Sequence, residues 1–371
     1  MARQCFGLEH APVLLLNFAA DMHAFKGVAR MMMKTTRWAG SVTALAMATL
    51  ATAASAQTDI RFTLDWKFEG PAAPFFVAID KGYFKEEGLN VTIDTGNGSR
   101  EAIPRVATGT YPMGFGDINS LVKAIDEQPD LKVKAVMMVY ERPPFAVIGR
   151  KSLGVTTDPK SLEGKTLGAP PPDGAFAQWK AFAQVAKLDL SKITIESVGF
   201  PVREPMLAQG KVQGIFGFSF SSVLNLKSQG VAADDISLIL MAENGLDLYG
   251  NAIMVNSDFA AKNPAAVKGF LKAMVKGVRD TVKDPAAAVE GVLKRNDVVK
   301  KDVELERLKM ALAQNFVTPA VKKNGFGGVE EAKMAKSIEL LKVSIGLKDA
   351  PKPSRVFDGS FLGAAADRKV D

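Results

Sequence analysis

The chain predicts an α/β fold in two lobes, and three features of the sequence lead there. Between residues 60 and 98 the order is strand, loop, helix, strand, loop, helix. That is a parallel α/β unit, whose ligands gather at the carboxyl ends of the strands. At 371 residues the chain exceeds what one compact core usually serves. Its composition is that of an ordinary globular protein, 47% hydrophobic and 23% charged, with no low-complexity tract or internal repeat.

Residues 60–66 alternate apolar with polar side chains, the period of a strand with one buried face. A loop rich in Gly and Pro follows at 67–73, and Pro74 suits the first position of a helix running to residue 80. Gly82 and Gly88 bracket the polar turn 83–87, each a natural helix stop. Residues 89–94 alternate again, and Gly96, Gly98 and Ser99 form the loop that opens the next helix. On pattern alone this is the first βαβ unit of any open-sheet protein.

The residues are more particular than the pattern. From Ala73 to Val91 the chain reads A-P-F-F-V-A-I-D-K-G-Y-F-K-E-E-G-L-N-V. This resembles the opening of the periplasmic substrate-binding proteins of ABC importers for alkanesulfonates, nitrate, thiamine-pyrimidine precursors and related compounds. In that family a strand and a ligand loop precede A-x-x-x-G-[FY]-F-x-x-E-G-L-x-V. The likeness extends more weakly over residues 58–350 and specifies the superfamily better than the ligand. It implies a type II periplasmic binding protein, each lobe an open mixed sheet flanked by helices, with two crossover strands as the hinge. Lobe I would comprise 57–145 and 252–371, and lobe II 146–251. The resemblance further implies a monomer without cofactor or metal. It would capture a small molecule and hand it to an ABC permease and its ATPase, meeting the membrane only through that permease.

Residues 1–56 read as a leader. Lys34 and Arg37 make a short cationic region, 39–52 a weakly apolar one, and Ala54-Ser55-Ala56 a small-residue cleavage site before Gln57. The apolar run is too short for a membrane span, and no Cys follows the site to carry a lipid. Residues 1–30 fit no targeting pattern, so one of Met31, Met32 and Met33 is the expected start and the periplasm the expected destination. The leader holds Arg3, Lys26, Arg30, Lys34 and Arg37 against Glu9 and Asp21, so removing it takes the net charge from +7 to +4. The remaining Lys and Arg are scattered, which gives nucleic-acid binding no support.

Cys5, His10 and His23 all lie in that leader, leaving a processed chain without thiol or imidazole. That removes Ser-His-Asp and Cys-His nucleophiles, the usual zinc sites and histidine base chemistry. Yeast relatives of the family build the thiamine pyrimidine with a histidine and a Cys-rich segment, and this chain would lack both. The reading is therefore a binding protein, with a thiamine-pyrimidine biosynthetic enzyme as the alternative of another class and a periplasmic sensor or chaperone as a third.

Further along, 101–108 reads as a helix interrupted by Pro104, 111–117 as a strand and 118–127 as a helix. Residues 114–119, G-F-G-D-I-N, match the family's G-x-x-D followed by a small polar residue. The resemblance makes Asp117 and Asn119 ligand groups, although each would equally cap the helix. Residues 131–140 are a strand, Pro143-Pro144 leads into the apolar strand 145–150, which reads as the first crossing between lobes, and 161–168 resembles the L-x-G-K-x-[VIL]-G that opens the second lobe. A Pro-rich loop then feeds a helix at 175–187. Relatives commonly place Gly and Ser there, binding an anion through backbone N–H groups. This chain has Pro170, Pro171, Pro172, Asp173 and Gly174, which removes three donors and adds a carboxylate. A neutral or cationic ligand group is expected in consequence, with Asp173 as a plain N-cap the competing account.

Residues 193–198 and 236–241 are further strands. Phe216, Phe218 and Phe220 share one side if extended, two for the core and Phe218 for the pocket wall. In relatives, [YF]-x-N before the return strand at 252–256 approaches the ligand, which nominates Tyr249 and Asn251. Helices at 264–283, 285–294, 302–314 and 328–346 carry no evident chemistry and are assigned to packing and transporter contact.

The candidate cleft thus comprises Trp66, Glu69, Gly98, Ser99, Asp117, Asn119, Asp173, Gly174, Phe218, Tyr249 and Asn251. Aromatic rings around a few polar groups suit a flat amphipathic ligand. Carboxylates outnumber cations, with Arg100 the anion partner in view. The expected solute is accordingly a nitrogenous or aromatic compound resembling a thiamine precursor, with an alkanesulfonate, taurine or nitrate as the alternative. By bridging the lobes it would favour their closed state.

Overall fold

The computed structural model describes residues 57–370. The expected leader, including Met31, Met32, Met33, Cys5, His10 and His23, lies outside the described residues. The strands are β1 (Thr58–Thr63), β2 (Leu89–Asp94), β3 (Met113–Asp117), β4 (Val133–Met138), β5 (Phe145–Arg150), β6 (Thr166–Ala169), β7 (Thr194–Ser197), β8 (Gly214–Phe218), β9 (Ile236–Leu240) and β10 (Asn251–Asn256). They form two five-stranded sheets, ordered β2-β1-β3-β10-β4 and β7-β6-β8-β5-β9.

Both sheets are open and mixed, as the sequence predicts. In the first, β1 is parallel to β2 and β3, while β10 runs antiparallel to β3 and β4. In the second, β6 is parallel to β7 and β8, while β5 runs antiparallel to β8 and β9. The reversed strand of each sheet is the one formed directly after the chain has crossed from the other sheet, through 139–144 on the way out and 241–250 on the return.

The main helices are α1 (Ala73–Asp80), α2 (Ser99–Ala107), α3 (Ile118–Glu127), α4 (Trp179–Val185), α5 (Phe200–Ala208), α6 (Ser219–Ser228), α7 (Pro264–Lys283), α8 (Lys301–Ala311) and α9 (Glu331–Leu341). On α7 the residues Val267, Phe270, Leu271, Met274, Val275 and Val278 recur at helical spacing and are buried, forming one face packed on α1. Phe270 stacks on Phe62 of β1 with ring centroids 5.1 Å apart, tying that helix to the sheet. Burying a side chain of this size contributes roughly 1.5–3 kcal/mol. The outer edge of β4 is covered by single bridges from Phe357 to Ala135 and from Gly327 to Met138, which shields its unpaired backbone groups.

Three elements depart locally from expectation. β1 stops at Thr63 rather than Trp66, because the backbone of Asp65 and Trp66 bonds instead to the following loop, Gly98 N to Asp65 O at 2.7 Å and Gly96 N to Trp66 O at 3.1 Å. That approach requires glycine at 96, where a Cβ would collide with the Leu64 carbonyl oxygen. The helix expected at 175–187 is broken at Gln178 into a turn, Gly174–Ala177, and α4. Finally, β8 ends at Phe218 and α6 begins at Ser219, so Phe220 is helical and does not continue the two-residue alternation of Phe216 and Phe218.

Candidate functional site

A cavity of about 50 Å³ lies between the two sheets, lined from the first by Leu64, Asp65, Trp66, Phe115 and Tyr140 and from the second by Asp173, Phe200, Arg203 and Phe218, among others. Its aromatic wall is assembled from both sides. Trp66 meets Phe200 edge-on, with centroids 4.6 Å apart and planes at 70°. Tyr140, from the first crossing, sits edge-on to Phe115, Phe218 and Phe220 at 5.3, 6.5 and 5.9 Å. Such edge-to-face pairs are favoured by the ring quadrupoles.

The buried guanidinium in the wall is paired. Arg203 of α5, only 2% exposed, donates to Asp173 Oδ2 at 3.2 Å and twice to Glu204 Oε1, at 3.0 and 2.6 Å. Burial works against its charge, yet Glu204 and Asp173 hold its pKa above the ordinary guanidinium value. Burial raises the Asp173 carboxyl while Arg203 pulls it back, and its other oxygen accepts from Phe176 N at 2.9 Å as an N-cap. The plate of Arg203 lies 5.3 Å from the Phe200 ring and 5.8 Å from the Trp66 ring, within cation–π range of both.

Asp65 is buried, and its Oδ2 accepts from Ser99 Oγ at 2.7 Å and Asn251 Nδ2 at 2.6 Å. Burial pushes its pKa up to about 6, opposed by those two donors. Glu69, also in the cavity lining, accepts from Ser221 Oγ at 2.9 Å and lies 3.4 Å from Arg307 of α8. Arg307 also bonds Glu304 at 3.0 Å and the carbonyls of Phe220 and Ser221 at 3.1 Å.

Trp66, Glu69, Gly98, Ser99, Asp173, Gly174 and Phe218 of the expected cleft all line this cavity. Asp117, Asn119, Tyr249 and Asn251 do not, and each is occupied structurally. Asp117 caps α3, accepting from the backbone and side chains of Asn119 and Ser120, and takes a further bond from Gln178 Nε2 at 2.9 Å, which leaves little capacity for a ligand. Asn119 is held by Asp117 Oδ1 and by the Tyr249 carbonyl at 2.6 Å. The Tyr249 hydroxyl accepts from Glu330 N at 2.8 Å, and its ring lies 4.5 Å from the Lys333 ammonium, away from the cavity. Asn251 holds Asp65 from behind.

Other expectations are corrected as well. Arg100 donates to the Pro171 carbonyl at 2.9 Å and does not line the cavity, whose lining holds the buried Arg203 and the exposed Lys67. The Asp173 charge is compensated rather than offered to a ligand. Phe220 joins Phe218 in the wall while Phe216 alone packs inside, against Phe176 and Trp179. The helix expected at 302–314 does more than pack, since Arg307 and Glu304 brace the wall. Asp65, Tyr140, Phe200 and Arg203 escaped the sequence reading. A signal existed for Arg203: an adjacent Arg-Glu pair inside the otherwise apolar stretch 200–207.

Contacts from one sheet's elements to the other's close the cavity: Gln178 to Asp117, Ser221 to Glu69, and Arg100 to Pro171. The volume is about a third of the ~150 Å³ that holds benzene in a protein interior, so a ring can enter only if the two sides part. A larger groove of about 750 Å³ runs along the flanks of α2, α3 and α4, but it is lined by helix surface such as Lys123, Glu127 and Lys180 rather than by strand ends.

A family profile described as NMT1/THI5 like matches residues 71–288. The riboflavin-binding protein RibY of Chloroflexus aurantiacus is 28% identical over 220 residues, which cover 59% of this chain and 61% of RibY. A 4-amino-5-hydroxymethyl-2-methylpyrimidine phosphate synthase of Aspergillus parasiticus is 26% identical over 239 residues, 62% of this chain and 69% of the synthase. Among solved structures, the alkanesulfonate-binding protein SsuA from Xanthomonas axonopodis pv. citri, bound to MOPS, superposes with a TM-score of 0.62 at 14% identity, covering 84% of this chain and all of that one. At that identity the likeness is one of fold.

Proposed function

The chain belongs to the NMT1/THI5-like family, and from that premise we propose that it is the solute-binding component of an ABC importer, capturing a flat nitrogenous or aromatic compound and delivering it unaltered. The observation that carries this reading is the two-sided aromatic cavity at the strand ends, closed by bonds between elements of opposite sheets. Residues 57–145 with 252–371 form one lobe and 146–251 the other, with 139–144 and 241–250 as the hinge. Ligand contacts fall to Trp66, Ser99, Phe200, Arg203 and Phe218, and the chain works in the periplasm beside a permease and its ATPase. With Arg203 compensated by Asp173 and Glu204, a heterocycle stacked on Trp66 is favoured over a sulfonate or nitrate. RibY's name supports a flavin and the synthase's name an aminopyrimidine. The synthase relatives also raise an enzyme reading, against which stands the confinement of Cys and His to residues 5, 10 and 23.

A thermal-shift screen of riboflavin, 4-amino-5-hydroxymethyl-2-methylpyrimidine, taurine and nitrate tests this. A true ligand at a hundred times its dissociation constant stabilises by about 2.7 kcal/mol. Trp66→Ala and Phe200→Ala should each weaken the hit by about 1–2 kcal/mol, roughly five- to thirty-fold. Conversion of any of these compounds to product, or full affinity in both variants, would overturn the assignment.

A further inference from the structure

We propose that Asp65 presents a protonated Oδ1 to the bound solute and, beside the Trp66 indole N–H, selects flat heterocycles that offer hydrogen-bond acceptors, a ring nitrogen or a carbonyl. The inference rests on the solute-binding reading above and concerns the polar half of the same cavity.

Geometry decides which oxygen carries the proton. Ser99 Oγ and Asn251 Nδ2 both donate to Oδ2, the Asp65 backbone N–H also favours the carboxylate, and among the described residues no other residue's side chain donates to Oδ1. A proton on Oδ2 would face two donors, so it belongs on Oδ1, the oxygen left for the cavity that Asp65 lines. The adjacent residue supplies an independent observation: Trp66 Nε1 is buried without a hydrogen-bond partner among the described residues. A buried N–H without a protein partner calls for an acceptor from elsewhere, and Trp66 lines the same cavity.

The surroundings keep the proton in place. Asp173 faces Asp65 across the cavity and its charge raises the Asp65 pKa, while Glu69 and Tyr140 line the walls on either side. Arg203, the buried cation of the opposite wall, is already paired with Asp173 and Glu204, and Lys67 is exposed. Burial is the larger cause and the Asp173 charge the smaller, together bringing the carboxyl to about 6, so that it is mostly ionised at neutral pH and mostly protonated in mild acid. An acceptor on the solute stabilises the protonated form further. Binding therefore takes up a proton above pH 6, and affinity is higher on the acid side.

Isothermal titration of riboflavin into the purified protein, at pH 5.5 and 7.5 in buffers of different ionisation heat, reads both affinity and protons exchanged. Riboflavin has no group titrating in that window, so any proton comes to the protein. The expected result is binding about tenfold tighter at pH 5.5, with net proton uptake at pH 7.5. Asp65→Asn, which keeps an acceptor for Ser99 and Asn251 and turns a permanent donor to the cavity, should bind equally at both pH values without proton exchange. Binding by the wild type without proton uptake, tighter binding at pH 7.5, or exchange retained in Asp65→Asn overturns the inference and leaves the importer reading standing. The wild-type measurement decides by itself if the variant does not fold. Failure of both riboflavin and the aminopyrimidine to bind removes the ligand reading and this inference with it.

Discussion

At the scale of single residues, the cavity wall deals with buried carboxylates in two ways. Asp173 and Glu204 are ion-paired to Arg203, whereas Asp65 has only neutral donors and sits at about 6. The consequence for stability has a definite sign. The folded pKa of Asp65 lies above its ordinary value of 3.8, so the native state binds the proton more tightly than the unfolded chain. The stability associated with that proton is complete below about pH 4 and is lost as pH rises through 6, a swing of about 3 kcal/mol at most. Asp65→Asn should therefore exceed the wild type in unfolding free energy at pH 7.5 by about 1–3 kcal/mol and show no such advantage at pH 4. Urea denaturation at both pH values measures it, and a difference that ignores pH would refute the account. Trp66 was legible in the sequence because an indole at a strand's carboxyl end has few other uses. Asp65 was not, because alternation put it on the polar side of a strand that in fact ends two residues earlier.

At the scale of elements, α8 carries the largest departure from expectation. Its pattern marks a packing helix, yet Glu304 and Arg307 on it are both 2% exposed and reach across to Glu69 and to the carbonyls that begin α6. A lone buried ion pair adds little net stability, but removing one partner strands the other. Arg307→Ala should cost about 3–5 kcal/mol in chemical denaturation by leaving Glu304 and Glu69 without their shared cation. A loss under about 1 kcal/mol would mean that water replaces the guanidinium and that α8 does not brace the wall. The break at Gln178 belongs to the same scale. Helix propensity favours an unbroken 175–187, and a bond from Gln178 to Asp117 on the other sheet accompanies the break.

At the scale of the whole molecule, the function proposed above makes this structure the shut form of a clamp. Its cavity is too small for a ring, and bonds from Arg100, Gln178 and Ser221 hold the two sides together. On the proposed function, solute entry requires hinge opening about the two crossings. Small-angle scattering should give a larger radius of gyration for the ligand-free protein than for the protein saturated with its screening hit, and identical radii would argue that access is through local side-chain motion. The chain order of strands and helices was written in local periodicity, glycine placement and the motif at 73–91, because each depends on neighbours in sequence. Which residues line the cavity was decided by tertiary structure. Arg203 becomes a wall residue only because Asp173, thirty residues before it, is brought alongside, and Asn251 acts through Asp65, 186 residues away, rather than on a ligand. Pairings of buried charge depend on which elements pack together, and no local pattern encodes them.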